Sequence, residues 1–342
     1  MQDVTITSFA PGLADDAVWD AYYALRRLYH DEAAEDIYFR SSAEMRDDLS
    51  QVTWFLDQRR WIAQRNDEVI GYLFAAAVLP ACSSYNERRH IVEADLYVTP
   101  GQRRRGVARR MLGVLRDFME ENCATVATMR SSVAQGQAFL RALGAEEKMR
   151  DIRSRLVLAR LDWDMVFAWR DGLRRALPGC TMMIHAGRVP ESEWMALMPA
   201  INAGLRDIPV GELDGPCLEL TAEIWRDWYI QFDRRGVEHH MIVLHDTSGV
   251  VAGVTDVEWS PREPGRVGQI LTAVRRDVRG RGLARGIKAA MLLHIRNHFP
   301  AVTELVTSSP LGNEPMLAIN HRLGFTNVET SVIYQIGRDV LP

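Results

Sequence analysis

The sequence predicts two α/β (α+β) domains in tandem, each a mixed, mostly antiparallel sheet flanked by helices. Three observations carry this. The chain has 342 residues, above the roughly 100–200 of a usual single domain. A strand, an Arg/Gly-rich turn and a helix occur in succession twice, with the opening arginines, Arg103 and Arg279, 176 residues apart. The order of apolar periodicities around the first copy repeats around the second. The expected division is 1–160, a connecting helix at 161–180, and 181–342.

In the first half, Val4 to Phe9 alternates as a strand. Asp15 to Tyr29 places Val18, Tyr22, Leu25 and Leu28 at helical spacing, and Ser42 to Gln58 reads as a second helix. Trp61–Gln64 and Val69–Leu79 are strands about a turn at 65–68, and Gly71 marks a bulge or bend. His90 to Val98 is the strand that delivers the first repeated turn, and Arg109–Glu121 is the helix after it. Strand Thr125–Ser131, helix Gln135–Leu143 and closing strand Arg153–Leu161 complete the half.

Leu161 to Leu177 reads as a tie helix stopped by Pro178-Gly179. The second half then repeats the order. Strand Met182–Ala186 leads to helices Glu191–Leu205 and Thr221–Arg235, joined by a loop from Arg206 to Cys217. Strands His240–His245, Gly249–Trp259 and Val267–Val274 follow. Helix Arg285–Phe299, strand Leu305–Ser308, helix Asn313–Leu323 with Pro315 in its first turn, and closing strand Thr330–Ile336 end the chain.

Composition narrows the function classes. Apolar content of 47% and charged content of 25% are ordinary for a soluble globular protein. A net charge of −4 argues against a nucleic-acid binder. No apolar run reaches the roughly 18 residues of a membrane span, and the first ten residues lack a secretory signal, so a cytoplasmic location is expected. Cys82, Cys123, Cys180 and Cys217 show no zinc spacing and read as buried small hydrophobes. No metal is expected.

The repeated turn carries the chemistry. A helix that opens directly after a strand presents unpaired N–H groups and the positive end of its dipole. Gly106, Gly280 and Gly282 let backbone approach a ligand, and Ala108 and Ala284 keep the next approach short. Such a turn suits a phosphate or pyrophosphate, to which Arg103 and Arg279 would add fork donors. The plain alternative for one copy is a solvated basic turn; its recurrence favours the functional reading. No P-loop or Gly-x-Gly-x-x-Gly fingerprint occurs at a strand end.

Val followed by Arg-x-x-Gly-x-Ala at such a turn resembles the acyl-CoA signature of the GNAT N-acyltransferase superfamily. Asn313-x-x-Met316-Leu317-Ala318-x-Asn320-x-x-Leu323-Gly324-Phe325 is similar to the family's helix ending in Leu-Gly-Phe. Because both halves carry the first signature, the whole chain resembles a tandem GNAT protein with a mycothiol-synthase-like layout. The resemblance implies acetyl-CoA as co-substrate. Backbone N–H groups of Arg103, Arg104, Arg105, Gly106, Val107 and Ala108, and of Arg279, Gly280, Arg281, Gly282, Leu283 and Ala284, would bind the pyrophosphate. Leu96, Tyr97 and Val98, and Thr272, Ala273 and Val274, would line the pantetheine arm in a splay between this strand and the next. Asn313 would sit near that arm or the thiol.

GNAT enzymes often place a Tyr four residues before the Gly of the Gly-Phe pair. Here that position is Asn320, and in the first half it is Leu140, with Gly144-Ala145 as the pair. The second half is therefore expected to catalyse. Asn320 and Asn313 are candidate site residues, and Glu258 and Glu223 are candidate bases, with Asp256 on the same face as Glu258. Glu93 and Asp95, with Gln269 and Leu271 as counterparts at the constant offset, favour the first half instead. His239 and His240 read as surface or capping residues. Asp207, Glu212, Asp214, Glu219 and Glu223 suggest an acidic rim for a cationic amine, while Trp225, Trp228 and Tyr229 read as core. The expected function is acetyl transfer to a primary amine of a small molecule by direct attack in a ternary complex, the protein being a monomer or homodimer. The alternative is a non-catalytic CoA-binding or regulatory protein.

Overall fold

Strand alternation and helical stripes fold this chain into two compact units. The structure, a computed structural model, describes residues 4–66, 68–215 and 218–342, so Asp67 of the expected turn and Cys217 lie outside it. In the first half the elements are β1 (Thr5–Ser8), α1 (Asp16–Ala33), α2 (Ser42–Ser50), β2 (Leu56–Arg65), β3 (Glu68–Val78), α3 (Tyr85–Arg88), β4 (Ile91–Val98), α4 (Val107–Glu121), β5 (Val126–Ser131), α5 (Ala134–Ala142) and β6 (Glu146–Val157). After these come α6 (Trp163–Asp171), α7 (Leu173–Ala176), β7 (Thr181–His185), α8 (Glu191–Arg206), α9 (Ala222–Arg235), β8 (Glu238–His245), β9 (Val251–Trp259), β10 (Arg266–Val274), α10 (Leu283–His298), β11 (Glu304–Pro310), α11 (Glu314–Leu323) and β12 (Thr326–Gly337).

The units do not follow the 1–160 and 181–342 division. Unit 1 is built from the described residues of 1–149, 212–216 and 331–342, and unit 2 from those of 150–211 and 217–330. The sheet of unit 1 runs β1-β2-β3-β4-β5-β12, with β4 and β5 parallel and the other pairs antiparallel. That of unit 2 runs β6-β11-β10-β9-β8-β7, with β10 and β11 its parallel pair. Each half thus gives its closing strand to the other unit. Val332, Tyr334 and Ile336 are buried in the core beside α4. Leu156 and Leu158 are buried in the core beside α10. The two closing strands have similar alternation, so pattern alone cannot say which sheet each will join.

Helix α4 buries Val107, Met111, Leu112, Leu115, Phe118 and Met119, a one-sided stripe. Helix α10 buries Leu283, Ile287, Met291 and Ile295 in the same manner, but also Lys288. On the other face of unit 1, Trp19, Tyr22 and Leu25 of α1 pack with Tyr72 and Tyr97. In unit 2, Trp194 stacks on Trp225 and Tyr229 at 5.2 and 5.7 Å, so two of the three expected core aromatics are core, while Trp228 is exposed.

Three local expectations are corrected. The helix expected over 42–58 stops at Ser50, because β-branched Val52 and Thr53 follow and Leu56–Gln58 pair with β3. The tie helix breaks at Gly172 into α6 and α7. Cys123 is exposed at φ 54°, just after α4, rather than buried. The bend at Gly71 is present: the β2–β3 register shifts between Ala63 and Gln64, leaving Ile70 as the extra residue.

Candidate active site

Both repeated turns are built alike. Gly106 (φ 82°) and Gly282 (φ 86°) are left-handed N-caps of α4 and α10, and no side chain caps either helix. The first N–H groups of each helix are therefore left for another acceptor. A Cβ added at Gly106 or Gly280 would have nothing within 4 Å. Open space, a positive helix end and unfilled donors fit a diphosphate. Arg104 adopts φ 60° where the second turn has Gly280 at φ 76°, so the first copy holds an arginine in a backbone state that favours glycine. Val107 and Leu283 are buried anchors, leaving their backbone alone to serve a ligand.

The opening arginines are not free fork donors, as their sequence suggested. Arg103 donates to the Val98 carbonyl at 3.0 Å and to both oxygens of Glu32 at 2.7 and 2.6 Å. Arg279 donates to the Val274 carbonyl at 2.8 Å and to Asp207. Glu32 lies near the end of α1, and Asp207 just past α8. One carboxylate thus ties each turn to the end of a helix, α1 in the first case and α8 in the second. Hydrogen bonding by Arg103 holds the Glu32 carboxyl below its usual range despite burial, and Tyr97 assists. Arg276 and Arg279 pull Asp207 down to about 2. Glu32→Gln should lower the stability of unit 1 by about 0.5–1 kcal/mol, since the pair is part-exposed. Urea unfolding should show a lower midpoint with an unchanged slope.

Beside each turn a parallel pair splits. Pairing of β4 with β5 runs from Ile91↔Val126 to Ala94↔Met129, and β4 continues alone on that side to Val98. Pairing of β10 with β11 runs from Arg266↔Glu304 to Gln269↔Thr307, and β10 continues to Val274. Leu96, Tyr97 and Val98, and Thr272, Ala273 and Val274, belong to these stretches that lack a partner strand on that side.

The units differ on the other side of the same strand. Between Gly71↔Val98 and Ala75↔Ala94, β3 and β4 pair without a shift. Between Gly253↔Val274 and Val257↔Gln269, β10 has one residue more than β9, a bulge at Ile270-Leu271. The constant offset between the halves therefore ends at this bulge. By pairing, Ala94 rather than Glu93 is the counterpart of Gln269.

A buried polar chain fixes the bulge. Val189 N–H donates to the Tyr229 hydroxyl at 2.8 Å, which stands 2.8 Å from His239 Nδ1. His239 Nε2 is 3.1 Å from Asp256 Oδ2, and Asp256 Oδ1 accepts the Leu271 N–H at 2.7 Å. Every atom is satisfied if the phenol donates to Nδ1 and Nε2–H donates to the carboxylate. His239 and His240 are both buried, correcting their surface assignment. On the opposite face, buried Lys288 donates to Gln269 Oε1 at 2.5 Å. Gln269 Nε2 donates to Thr255 and Thr272 hydroxyls at 3.0 and 3.3 Å. Burial pushes the Lys288 amine down to about 7.

Of the candidate residues, Glu258 lies directly across from His239 in the β8–β9 ladder, and burial raises its carboxyl, with His239 opposing and Asp256 adding. Asn320 is buried in α11, and neither its Oδ1 nor its Nδ2 has a partner among the described residues. Asn313 caps α11 without a side-chain bond. Glu223 is exposed in the first turn of α9, its carboxyl lowered by the helix backbone and Thr221, so it is not part of the buried chain. The acidic rim does not assemble: Asp207 is held by arginines, and Glu212 and Asp214 belong to unit 1. Glu93 pairs with Arg88, and Asp95 accepts from Tyr72. Among the described residues no helix is long and apolar enough to cross a membrane.

Comparison with known proteins places this geometry. Residues 20–145 match the Acetyltransferase (GNAT) family model, in the half whose sequence looks reduced. No match is found among curated proteins. A tandem GNAT protein from the clavulanic acid biosynthesis pathway is similar in structure, with TM-score 0.73, 21% identity, 98% of this chain and 99% of that one covered. A GCN5-related N-acetyltransferase from Sphaerobacter thermophilus gives TM-score 0.66 at 16% identity, covering 99% and 96%. A glucosamine N-acetyltransferase region of a fungal multi-domain GH3 β-N-acetylglucosaminidase gives 0.69 at 15%, covering 98% of this chain and 38% of that one. The family implies acyl transfer from acyl-CoA. Residues 20–145 therefore form a GNAT acetyltransferase domain, and the chain as a whole has the fold of the tandem GNAT proteins.

Proposed function

We propose that the protein is an acyl-CoA-dependent N-acyltransferase. Its acyl group is acetyl, its acceptor is the primary amine of a small molecule, and unit 2 performs the chemistry by direct attack in a ternary complex. The observation that carries this is the bulge at Ile270-Leu271, set where β10 parts from β11. A bulge frees backbone from its ladder and re-aims it, here beside the slot that would take the thioester. Asp256 already occupies the Leu271 N–H, so the loop of backbone around it is held rigid. The Leu271 N–H is thus spent on Asp256, and the bulge serves the thioester by fixing the shape of the slot rather than by donating that N–H.

Glu258 serves as the base that takes a proton from the incoming ammonium, since a carboxyl raised by burial is better matched to neutral pH. Glu258 and Asp256 together favour a cationic acceptor. The amine nitrogen bonds to the acyl carbon as the carbon–sulfur bond breaks. The leaving thiolate takes its proton from water or from the substrate ammonium, because Asn320 replaces a phenol. Asn320 supplies hydrogen bonds to the arm or thioester, which is consistent with its two unpartnered buried atoms.

The test is release of free CoA thiol from acetyl-CoA with a panel of small amines. Turnover with cationic amines is expected, and Asn320→Ala should lower kcat/KM about tenfold, the worth of one hydrogen bond. Intact CoA binding with no turnover on any amine would overturn catalysis in favour of the regulatory alternative.

A further inference from the structure

The adjacent histidines of β8 face opposite sides of the sheet. His239 joins the polar chain below α9. His240 faces α10, fully buried, and there it meets a second cluster. Its Nδ1 is 2.8 Å from His294 Nε2, and its Nε2 is 2.9 Å from Glu238 Oε2. His298 Nε2 is 3.8 Å from the same carboxylate oxygen. Glu238 and His240 are two apart on a strand, and His294 and His298 are four apart on a helix, so each pair shares one face.

We propose that Glu238, His240 and His298 form a binding site for a divalent transition metal of the zinc class, with His294 orienting His240. One ligand atom from each of the three lies within 4.8 Å of the others. A tetrahedral ion with bonds near 2.0–2.1 Å places its ligand atoms about 3.3 Å apart. The 2.9 and 3.8 Å separations from Glu238 to His240 and His298 bracket that spacing, so rotations of the part-exposed Glu238 and His298 side chains about the fixed His240 complete the set. Two imidazoles and one carboxylate select zinc, cobalt or nickel over calcium or magnesium, which require oxygen.

The surroundings also fit. When His240 Nε2 binds metal, its Nδ1–H donates to His294 Nε2, the outer hydrogen bond that fixes a ligand's tautomer. Without metal the same distances reverse: His294 donates to Nδ1 and His240 donates to Glu238. That arrangement gives His298 no hydrogen bond to the carboxylate, since 3.8 Å is too long. Phe299 lies 4.8 Å from both the His240 and His298 rings and stacks on Trp259 at 5.0 Å, forming an apolar wall. A groove of about 250 Å³ lined by Glu238, Trp259, Pro264, His298 and Phe299 opens beside the ligands, giving a fourth position to water or a small ligand. The cluster stands at the C-terminal end of α10, roughly 24 Å along the helix from the Gly282 turn, and so is separate from the CoA turn. Bound metal would clamp the last turn of α10 to the start of β8.

The test uses the full chain, stripped with chelator and titrated with Co²⁺ or Zn²⁺ alone, without CoA because its thiol binds metal. One equivalent per chain, tetrahedral Co²⁺ absorption bands and a raised Tm are expected. His298→Ala and Glu238→Gln alter part-exposed side chains and should fold, yet lose stoichiometric binding. His294→Ala should keep the stoichiometry with affinity about 10–100-fold weaker. No saturable binding in the parent chain, or binding unchanged by both His298→Ala and Glu238→Gln, would overturn the site.

Discussion

Replacing Gly282 with glutamate should weaken CoA binding in unit 2 by about 100-fold or more. Three effects act together. The residue is an N-cap at φ 86°, so any Cβ strains the turn by about 1–2 kcal/mol. The Arg285 guanidinium already stands 2.7 Å from where that Cβ would lie, and it must move. The new carboxylate would enter the space proposed for a diphosphate, a like-charge meeting that costs several kcal/mol. Gly106→Glu should do the same in unit 1, where φ is 82° and the space is open. Calorimetric titration with acetyl-CoA should show halved stoichiometry for each single variant if both units bind, and no heat for the double variant. Unchanged affinity in a folded double variant would remove the CoA assignment.

Lys288→Met should stabilise unit 2 by about 2–3 kcal/mol at pH 7, the gain seen when buried charge gives way to an apolar side chain. Lys288 is buried with Gln269 as its hydrogen-bond partner, and burial moves its amine from 10.5 to about 7. Between those values the unfolded chain holds a proton that the folded chain lacks. Stability must therefore rise as pH goes from about 7 to 10.5, and the penalty is complete below 7. The substitution removes that slope and leaves Gln269 Oε1 without its donor, an offset of about 1 kcal/mol. Urea unfolding at pH 7 and pH 9.5 reads both. The parent chain should gain stability at the higher pH and the variant should not. A variant less stable than the parent at pH 7 would mean that Lys288 is worth more to the Gln269–Thr255–Thr272 network than its desolvation costs.

What was legible in the sequence was local. The two turns announced themselves because Arg, Gly and Ala occupy a strand-to-helix junction, where backbone geometry follows from a few neighbouring residues. The splays beside them were expected only from the family resemblance, since element order does not say where two parallel strands stop pairing. The partners of Arg103 and Arg279 were not legible, because Glu32, near the end of α1, and Asp207, just past α8, lie about 70 positions upstream. The bulge was hidden by a single residue: an offset that holds from Val98 and Val274 through the turns fails just before it. His239 and His240 looked like one feature because adjacency in sequence conceals opposite faces of a strand. That Glu238, His240 and His298 come together was not legible, because the strand and helix that carry them are far apart in the chain. Asn320 was reached only through likeness to a family helix; that its amide is buried without a partner among the described residues was not legible.

The exchange of closing strands has a consequence for the order in which this protein can be made. β5 must wait for β12, about 200 residues later, before the sheet of unit 1 is complete. A ribosome adds roughly 5–20 residues per second, so the first sheet spends at least ten seconds or so with an open edge at β5. Pairing across such a span closes a very long loop and is slow. The half that emerges first is thus the one finished last. Until β12 leaves the tunnel, it exposes the kind of unpaired edge to which other chains can add.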